Sequence, residues 1–378
     1  MRQLGLELEG MPKRLYSCTP SRLNTWLDCP RRYRFTYLDR PAPPKGPPWA
    51  HNSVGASVHN ALAAWWREPY DRRTPAVAGI LLTRGWITEG FRDQDQSTEW
   101  RDRSRELVMG YTSTLDPSDE PVGVERTVAT RTSVIAVSGR VDRIDRRGDE
   151  LVIVDYKTGR RPLTEDDARS SLALALYAIC ASRVLHRPCR QVELHHLPTA
   201  STATWQHTDA TLQRHLSRAE DLAQEASQAD EDYRALRDST APARTRTTAS
   251  STSSTTEAPA VAPPAPGTPS ATGSATASPR GGELRAKLDE RFPAHPGPIC
   301  SWCDYRQHCP EGQAAGTPRQ PWDALVDLRE DGDLKATAGN ENYRATAGNE
   351  NFKTTPGNEG FKAPAGDGGA TGGGPATP

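Results

Sequence analysis

Asp155 and Lys157 stand two apart in the run Glu150-Leu-Val-Ile-Val-Asp155-Tyr-Lys157-Thr-Gly159, and Asp142 closes an earlier run, Gly139-Arg-Val-Asp142, ahead of Arg143-Ile-Asp145. Residues two apart on a strand share a face, so Asp155 and Lys157 project together, and pairing of neighbouring strands brings Asp142 beside them. Two carboxylates converging at a strand end make a hard oxygen site suited to Mg²⁺ or Mn²⁺. An ion held there polarises a phosphodiester and supplies hydroxide from bound water, while the lysine orients that water or neutralises charge developing on the phosphate. An acid-x-lysine pair by itself is as readily a salt bridge at an exposed strand end. The apolar run Leu151 to Val154 and the second acidic motif one strand earlier give this one its weight. His59, in Gly55-Ala-Ser-Val-His59 on an upstream helix, is a third candidate ligand.

A second constellation is Cys300-Ser-Trp-Cys303 followed by Cys309, which Cys29-Pro30, far upstream, can complete. Thiolates at this spacing bind zinc or an iron–sulfur cluster, and spacing does not choose between them, because His308 or His295 could supply the fourth ligand of a zinc site. Seven cysteines, an odd number in a reducing compartment, argue against a disulfide framework and for thiols that are either buried or bound to metal. Cys18, Cys180 and Cys189 lack partners at useful spacing and read as small buried residues. Arg31, Arg32 and Arg34 alternate with Tyr33 and Phe35 beside Cys29, a pattern with two readings. It is either a DNA contact made by phosphate pairing and stacking, or a solvated helix face with an aromatic core side.

The elements that must position these residues follow from periodicity. Leu23, Trp26, Leu27, Tyr33, Phe35 and Tyr37 recur at roughly helical spacing and are interrupted at Pro30, which predicts two short helices meeting at Cys29. A proline-rich connector, PAPPKGPPWA, leads to an amphipathic helix beginning near Ser53 and carrying Val58, Leu62, Trp65 and Trp66, and helical patterns continue to about Leu115. Between Val122 and Val154 three Val- and Ile-rich segments separated by short polar turns predict an antiparallel meander. A helix from Glu165 to Leu185 with an Ala/Leu-rich face follows, then a strand, QVELHHL, and a long polar helix capped by Thr208 and running to about Leu236. This is the outline of a small mixed sheet flanked by helices.

The remainder carries little that could pack. Of 378 residues, 32 are Pro and 30 Gly, and the stretch from Ser239 to Gly282 is almost wholly Ser, Thr, Ala, Pro and Gly. Such composition cannot bury enough apolar surface to offset the entropy of ordering. After Leu328 come three imperfect nine-residue copies, ATAGNENYR, ATAGNENFK and TTPGNEGFK, read as a disordered repeat. The predicted organisation is a flexible 1–18, a core over 19–238, a disordered linker over 239–282, a cysteine-cluster segment over 283–328 packing back on the core, and a disordered tail over 329–378. The net charge of -1 excludes a globally basic nucleic-acid protein, although the first fifty residues are locally basic. No stretch approaches the ~20 apolar residues of a membrane span and the opening residues lack the apolar centre of a secretory signal, so a cytoplasmic location without membrane contact is expected.

Gly-x-x-x-His59, Gly139-x-x-Asp142-Arg-x-Asp145, Asp155-Tyr-Lys157-Thr-Gly159 and a following Leu174-x-Leu176-Tyr177 helix, in that order, resemble the active-site motifs of the PD-(D/E)xK nuclease superfamily. The closest resemblance is to the RecB-like exonucleases that carry an iron–sulfur cysteine cluster, and it covers about Ser21 to Leu197 and Cys300 to Cys309. It implies an α/β, restriction-endonuclease-like mixed sheet core flanked by helices. It also implies that His59, Asp142, Asp155 and the main-chain carbonyl of Tyr156 bind Mg²⁺ or Mn²⁺, that Lys157 is the catalytic lysine, and that Tyr177 belongs to the site. Several relatives place one cysteine before the core and three after it, which implies that Cys29, Cys300, Cys303 and Cys309 hold a 4Fe–4S cluster rather than zinc. The family helix reads Gln-x-x-x-Tyr, whereas Ala173 stands four before Tyr177, so substrate positioning is expected to differ. The implied activity is metal-dependent exonuclease action on single strands or duplex ends of DNA, in repair or recombination. The sequence has no phosphate-binding Gly-rich loop with Lys-Ser/Thr, so any unwinding falls to a separate helicase. Two alternatives stay open: a non-catalytic iron–sulfur DNA-binding module of the same fold, and a zinc-stapled RNA-processing or adaptor protein.

Overall fold

A computed structural model of the chain describes residues 15–240 and 279–325. The stretch predicted as a linker, apart from its two ends, and the nonapeptide repeats lie outside the described residues. The chain opens with strand β1 (Tyr16–Cys18), followed by α1 (Pro20–Asp28) and α2 (Pro30–Tyr33), which runs on into a wider π turn over Arg34–Leu38. The two helices meet at Cys29, whose extended backbone lets Pro30 open the second helix where no amide is needed. Then come α3 (Ala50–Arg67), α4 (Pro75–Arg84) and α5 (Gln94–Thr112). Strands β2 (Gly123–Arg131), β3 (Ile135–Arg147) and β4 (Glu150–Lys157) form the expected antiparallel meander. Next are α6 (Glu165–Ser170), α7 (Leu172–Leu185), β5 (Cys189–His196), β6 (Ser201–Gln206) and α8 (Asp209–Thr240). The second body of described residues holds α9 (Pro279–Arg291) and α10 (Pro310–Ala315), with the three C-terminal cysteines between or beside them.

The described strands make one mixed sheet in the order β1-β3-β4-β5-β6, with β2 on the other edge of β3. β4 runs antiparallel to β3 and parallel to β5, the connection to β5 being made through α6 and α7. This is the α/β, restriction-endonuclease-like core flanked by helices that the motifs imply. Alternation along β4 decides its layers. Leu151 and Ile153 enter a core shared with α1, α7 and α8, whereas Val152, Val154 and Tyr156 face a second core built by α3, α4 and α5.

Several local expectations shift. The core begins at Tyr16 rather than after residue 18, because the three residues of β1 pair in parallel with Ile135–Val137. So short a strand carries no periodicity to read. The single helix expected over Glu165–Leu185 breaks at Ser171, whose extended backbone and side chain, accepting from the Leu174 amide, restart the chain as α7. The edge strand β6 is absent from the expected elements, because its inward residues, Ala203 and Trp205, alternate with exposed polar ones over too short a run to mark a period. Thr208 does cap α8, its hydroxyl accepting from the Thr211 amide.

Arg31 and Arg34 require a correction. Both are 4% exposed, so neither the DNA contact nor the solvated face expected of them is available. Arg31 makes a two-pronged pair with Glu311 at 3.0 and 3.1 Å and donates to the Phe292 and Asp289 carbonyls. Arg34 donates to the Asp289 carboxylate at 2.9 Å and is paired with Asp39. The two arginines therefore stitch α9 and α10 to the start of the chain. Arg32 is half-buried, with Asp28 3.9 Å away.

Candidate metal centre and cysteine cluster

The site is a fork in the sheet. Pairing between β3 and β4 runs from Arg147↔Glu150 to Arg143↔Val154 and stops there, while β1 pairs with β3 only at Ile135–Val137. On that edge of β3, Ser138–Asp142 therefore face the gap left as β4 departs along β5. Asp142 partly closes it. Its carboxylate accepts from the Tyr156 amide at 2.9 Å, so a side chain takes the place of the next ladder bond and holds its charge at the fork.

His59 arrives from α3. Its Nε2 donates to the Tyr156 carbonyl at 3.0 Å and its Nδ1 lies 3.3 Å from Asp142 Oδ2. Both ring nitrogens thus face acceptors, an arrangement that asks for the imidazolium. Burial alone would lower the pKa of this ring, but the Asp142 carboxylate outweighs burial and raises it to about 9. Burial likewise pushes the Asp142 carboxyl up, yet the facing His59 and the Tyr156 amide hold it below the ordinary carboxylate range. Asp155 and Lys157 share a face and form an ion pair. Burial raises Asp155 despite the lysine, and Lys157 is held charged by the carboxylate beside it against the cost of burial.

One residue of the site was not found from the sequence. Glu125 on β2 brings a carboxylate oxygen into the group formed by His59 and Asp142, with donor atoms all within 4.8 Å of one another. Its backbone sits at φ 49°, a left-handed conformation that costs a non-glycine residue about 1 kcal/mol or more, so neighbouring structure must hold it there. Arg140 pairs with it at 2.7 Å, and burial together with the nearby Asp142 charge raises its pKa. A glutamate in a valine-rich strand reads as an outward-facing polar residue. Only pairing with β3 places it opposite Asp142.

Tyr177 lies against Gly139. A Cβ at Gly139 would stand 2.4 Å from Tyr177 Cε1, so the glycine of the first acidic motif makes room for the ring on α7. Ala173, four residues before it, is 1% exposed and packed into the core.

Cys29, Cys300, Cys303 and Cys309 line one small cavity, along with Arg31, Arg32, Phe35 and Tyr305. The Gly312 amide donates to Cys309 Sγ at 3.4 Å, and a Cβ at Gly312 would lie 3.4 Å from that sulfur and 3.7 Å from Cys300 Sγ. Burial pushes the Cys303 thiol up to about 11 and raises Cys309. Burial thus favours the protonated thiol at Cys303 and Cys309. His308 is turned away, its Nε2 donating to the Pro44 carbonyl at 3.0 Å. Cys18, Cys180 and Cys189 are buried in the main core.

The sequence profile of the PD-(D/E)XK nuclease superfamily matches residues 17–310. The chain belongs to the PD-(D/E)XK nuclease superfamily. Nucleases of this superfamily typically use divalent metal ions, and His59, Glu125 and Asp142 offer this one an acidic group of donors. Among solved structures, an exonuclease candidate from Eubacterium rectale is similar at 9% identity with a TM-score of 0.34, over 58% of this nuclease and 83% of that chain. The protein SSO0001 is similar at 14% identity with a TM-score of 0.26, over 56% of this nuclease and 77% of that chain. No curated protein matches the nuclease. Among its described residues no helix is long and apolar enough to cross a membrane.

Proposed function

We propose that this nuclease is a divalent-metal-dependent DNA exonuclease of the RecB-like type, acting in the cytoplasm on single strands or duplex ends during repair or recombination. The observation that carries the reading is the fork itself: Asp142, His59 and the Tyr156 main chain meet there, with Asp155 and Lys157 among the last residues of β4. The donor set, an imidazole, carboxylates and a main-chain carbonyl, suits Mg²⁺ or Mn²⁺. His59, Asp142, Asp155 and the Tyr156 carbonyl would hold the ion, and Glu125 adds a carboxylate that the motifs alone did not offer. The bound ion would supply Lewis-acid activation of the phosphodiester and of a water.

The chain's own residues do the rest. Lys157, held charged beside Asp155, places a cation where negative charge develops on the phosphate. Asp142 and His59 fix the Tyr156 peptide from both its amide and its carbonyl, so that oxygen is presented in one orientation. Tyr177, set by Gly139, closes the α7 side of the fork.

A 4Fe–4S cluster on Cys29, Cys300, Cys303 and Cys309 is the structural staple of the same proposal. Four thiols around one cavity fit such a group. Thiol spacing alone suits zinc as well; the order of one cysteine before the core and three after it, the pattern of the RecB-like relatives, favours the cluster.

The test is end-labelled single-stranded and duplex DNA incubated across Mg²⁺ and Mn²⁺, with Asp142→Ala and Lys157→Ala beside the parent. Hydrolysis by the parent and a loss of roughly 10²-fold or more in either variant is expected. Uncut DNA with the parent, or a Lys157 variant as active as the parent, would overturn the reading and favour a non-catalytic DNA-binding module.

A further inference from the structure

Behind the fork, on the face covered by α3 and α5, Arg143 is the last β3 residue paired with β4. Its guanidinium is buried between the Trp66 and Tyr156 rings, 5.1 and 5.7 Å from their centroids. It donates to the Tyr156 hydroxyl at 3.1 Å, to the Tyr111 hydroxyl at 3.3 Å and to Asp145 at 2.9 Å. Trp66 Nε1 donates to the same Tyr156 oxygen at 3.2 Å. The network extends from Tyr111 to His195 Nδ1 at 2.8 Å, and from His195 Nε2 to Glu193 at 2.9 Å. Tyr156 is therefore gripped at both ends. Its peptide is held by Asp142 and His59 inside the site, and its phenol by Arg143 and Trp66 behind it.

Stability alone does not account for a buried cation at this position, since well-packed apolar residues commonly do as well or better than a buried charge pair. Its place in the fold is the informative feature. Beyond Arg143↔Val154 no β3–β4 ladder fixes Asp155 relative to Asp142, so side-chain contacts must. The Asp142 carboxylate on the Tyr156 amide is one such contact, and Arg143 on the Tyr156 hydroxyl is another.

We propose that Arg143, acting through the Tyr156 hydroxyl, is a positioning residue that sets the opening of the β3–β4 fork and thereby the discrimination between Mg²⁺ and Mn²⁺. The inference rests on the metal-nuclease reading of the site. Mg²⁺ demands near-ideal octahedral geometry, so it is the ion that a loosened fork disfavours first. Arg143 and the phenol lie on the face behind the fork, among Trp66 and Tyr111, so the role assigned to them is positioning rather than contact.

The experiment compares the parent with Tyr156→Phe and with the double variant Tyr156→Phe/Arg143→Met. Each is read by calorimetric titration of DNA-free protein with Mg²⁺ and with Mn²⁺, by cleavage supported by each ion, and by thermal midpoint. Tyr156→Phe is expected to weaken Mg²⁺ binding and Mg²⁺-supported cleavage about tenfold, with a several-fold smaller effect for Mn²⁺. The double variant also removes the guanidinium that Tyr156→Phe leaves one acceptor short, so it should regain thermal stability without regaining the Mg²⁺ preference. Recovery of the parent's Mg²⁺/Mn²⁺ ratio in the double variant, or an equal loss for both ions that tracks stability, overturns the proposal. A parent that binds both ions but cuts no DNA fails the exonuclease reading alone, and the positioning claim is then decided on the affinity ratio. A parent that binds neither ion removes both.

Discussion

At the scale of single residues, the fork explains why chemistry gathers at Asp142. Its carboxylate answers a backbone amide that has lost its strand partner, and that same need for a partner brings His59 and the Tyr156 carbonyl to one point. The metal-free His59 ring, with acceptors on both nitrogens, has its pKa raised from 6.5 to about 9. Below that pH an ion can take the ring only by expelling a proton. Metal affinity is therefore expected to climb as pH rises toward about 9 and to level off above it, with proton release near neutral pH. Calorimetric titration with Mn²⁺ in buffers of different ionisation enthalpy measures that release, and identical heats in all buffers would contradict it. Asp142, Asp155, Lys157 and His59 were each legible as candidates, because strand-end acids and a motif-bearing helix show in the sequence. Glu125 was not, since its role depends on a register with β3 and a φ of 49° that no local pattern announces.

At the scale of elements, two contacts decide how helices meet the sheet. Tyr177 on α7 occupies the space that a Gly139 side chain would need. Gly139→Ala should force apart a ring and a strand that now touch, lowering stability by about 1–3 kcal/mol. A denaturant midpoint unchanged from the parent would show that the ring moves aside freely. Arg31 and Arg34, legible as a basic and aromatic stretch, turn out to bind α9 and α10 rather than a phosphate. The partners that make this contact, Glu311 and Asp289, lie more than 250 positions away along the chain, a distance across which composition carries no information. Because Glu311 is partly exposed, Arg31→Ala is expected to cost about 2–3 kcal/mol, short of what a fully buried pair would lose. It should leave the salt dependence of DNA affinity as it was. A shallower slope of log affinity against log salt would instead assign Arg31 a phosphate contact.

At the scale of the whole molecule, the segment around Cys300–Cys309 is held by protein contacts before any cluster is considered. Phe35 packs on Tyr305 with ring centroids 5.5 Å apart, the Gly46 amide donates to the Asp304 carbonyl at 2.7 Å, and Arg31 reaches Glu311. A metal group at the four cysteines would tighten an arrangement already docked, closing a loop at an entropic cost that grows only slowly with its length. Anaerobically purified protein is expected to be brown, with iron and sulfide in equal amounts. Cys303→Ser should lose that colour and make residues 279–325 more open to limited proteolysis. A colourless protein with one equivalent of zinc would sink the iron–sulfur assignment. The sequence by itself determined the meander, the flanking helices, the acid-x-lysine strand end and the cysteine set, because period, capping residues and spacing are local properties that physical chemistry reads directly. Tertiary structure alone decided that β3 and β4 part at Arg143, that Glu125 comes beside His59 and Asp142, and that two arginines face inward. Each of those depends on strand register or on a partner far along the chain, and both are settled only when the whole core closes.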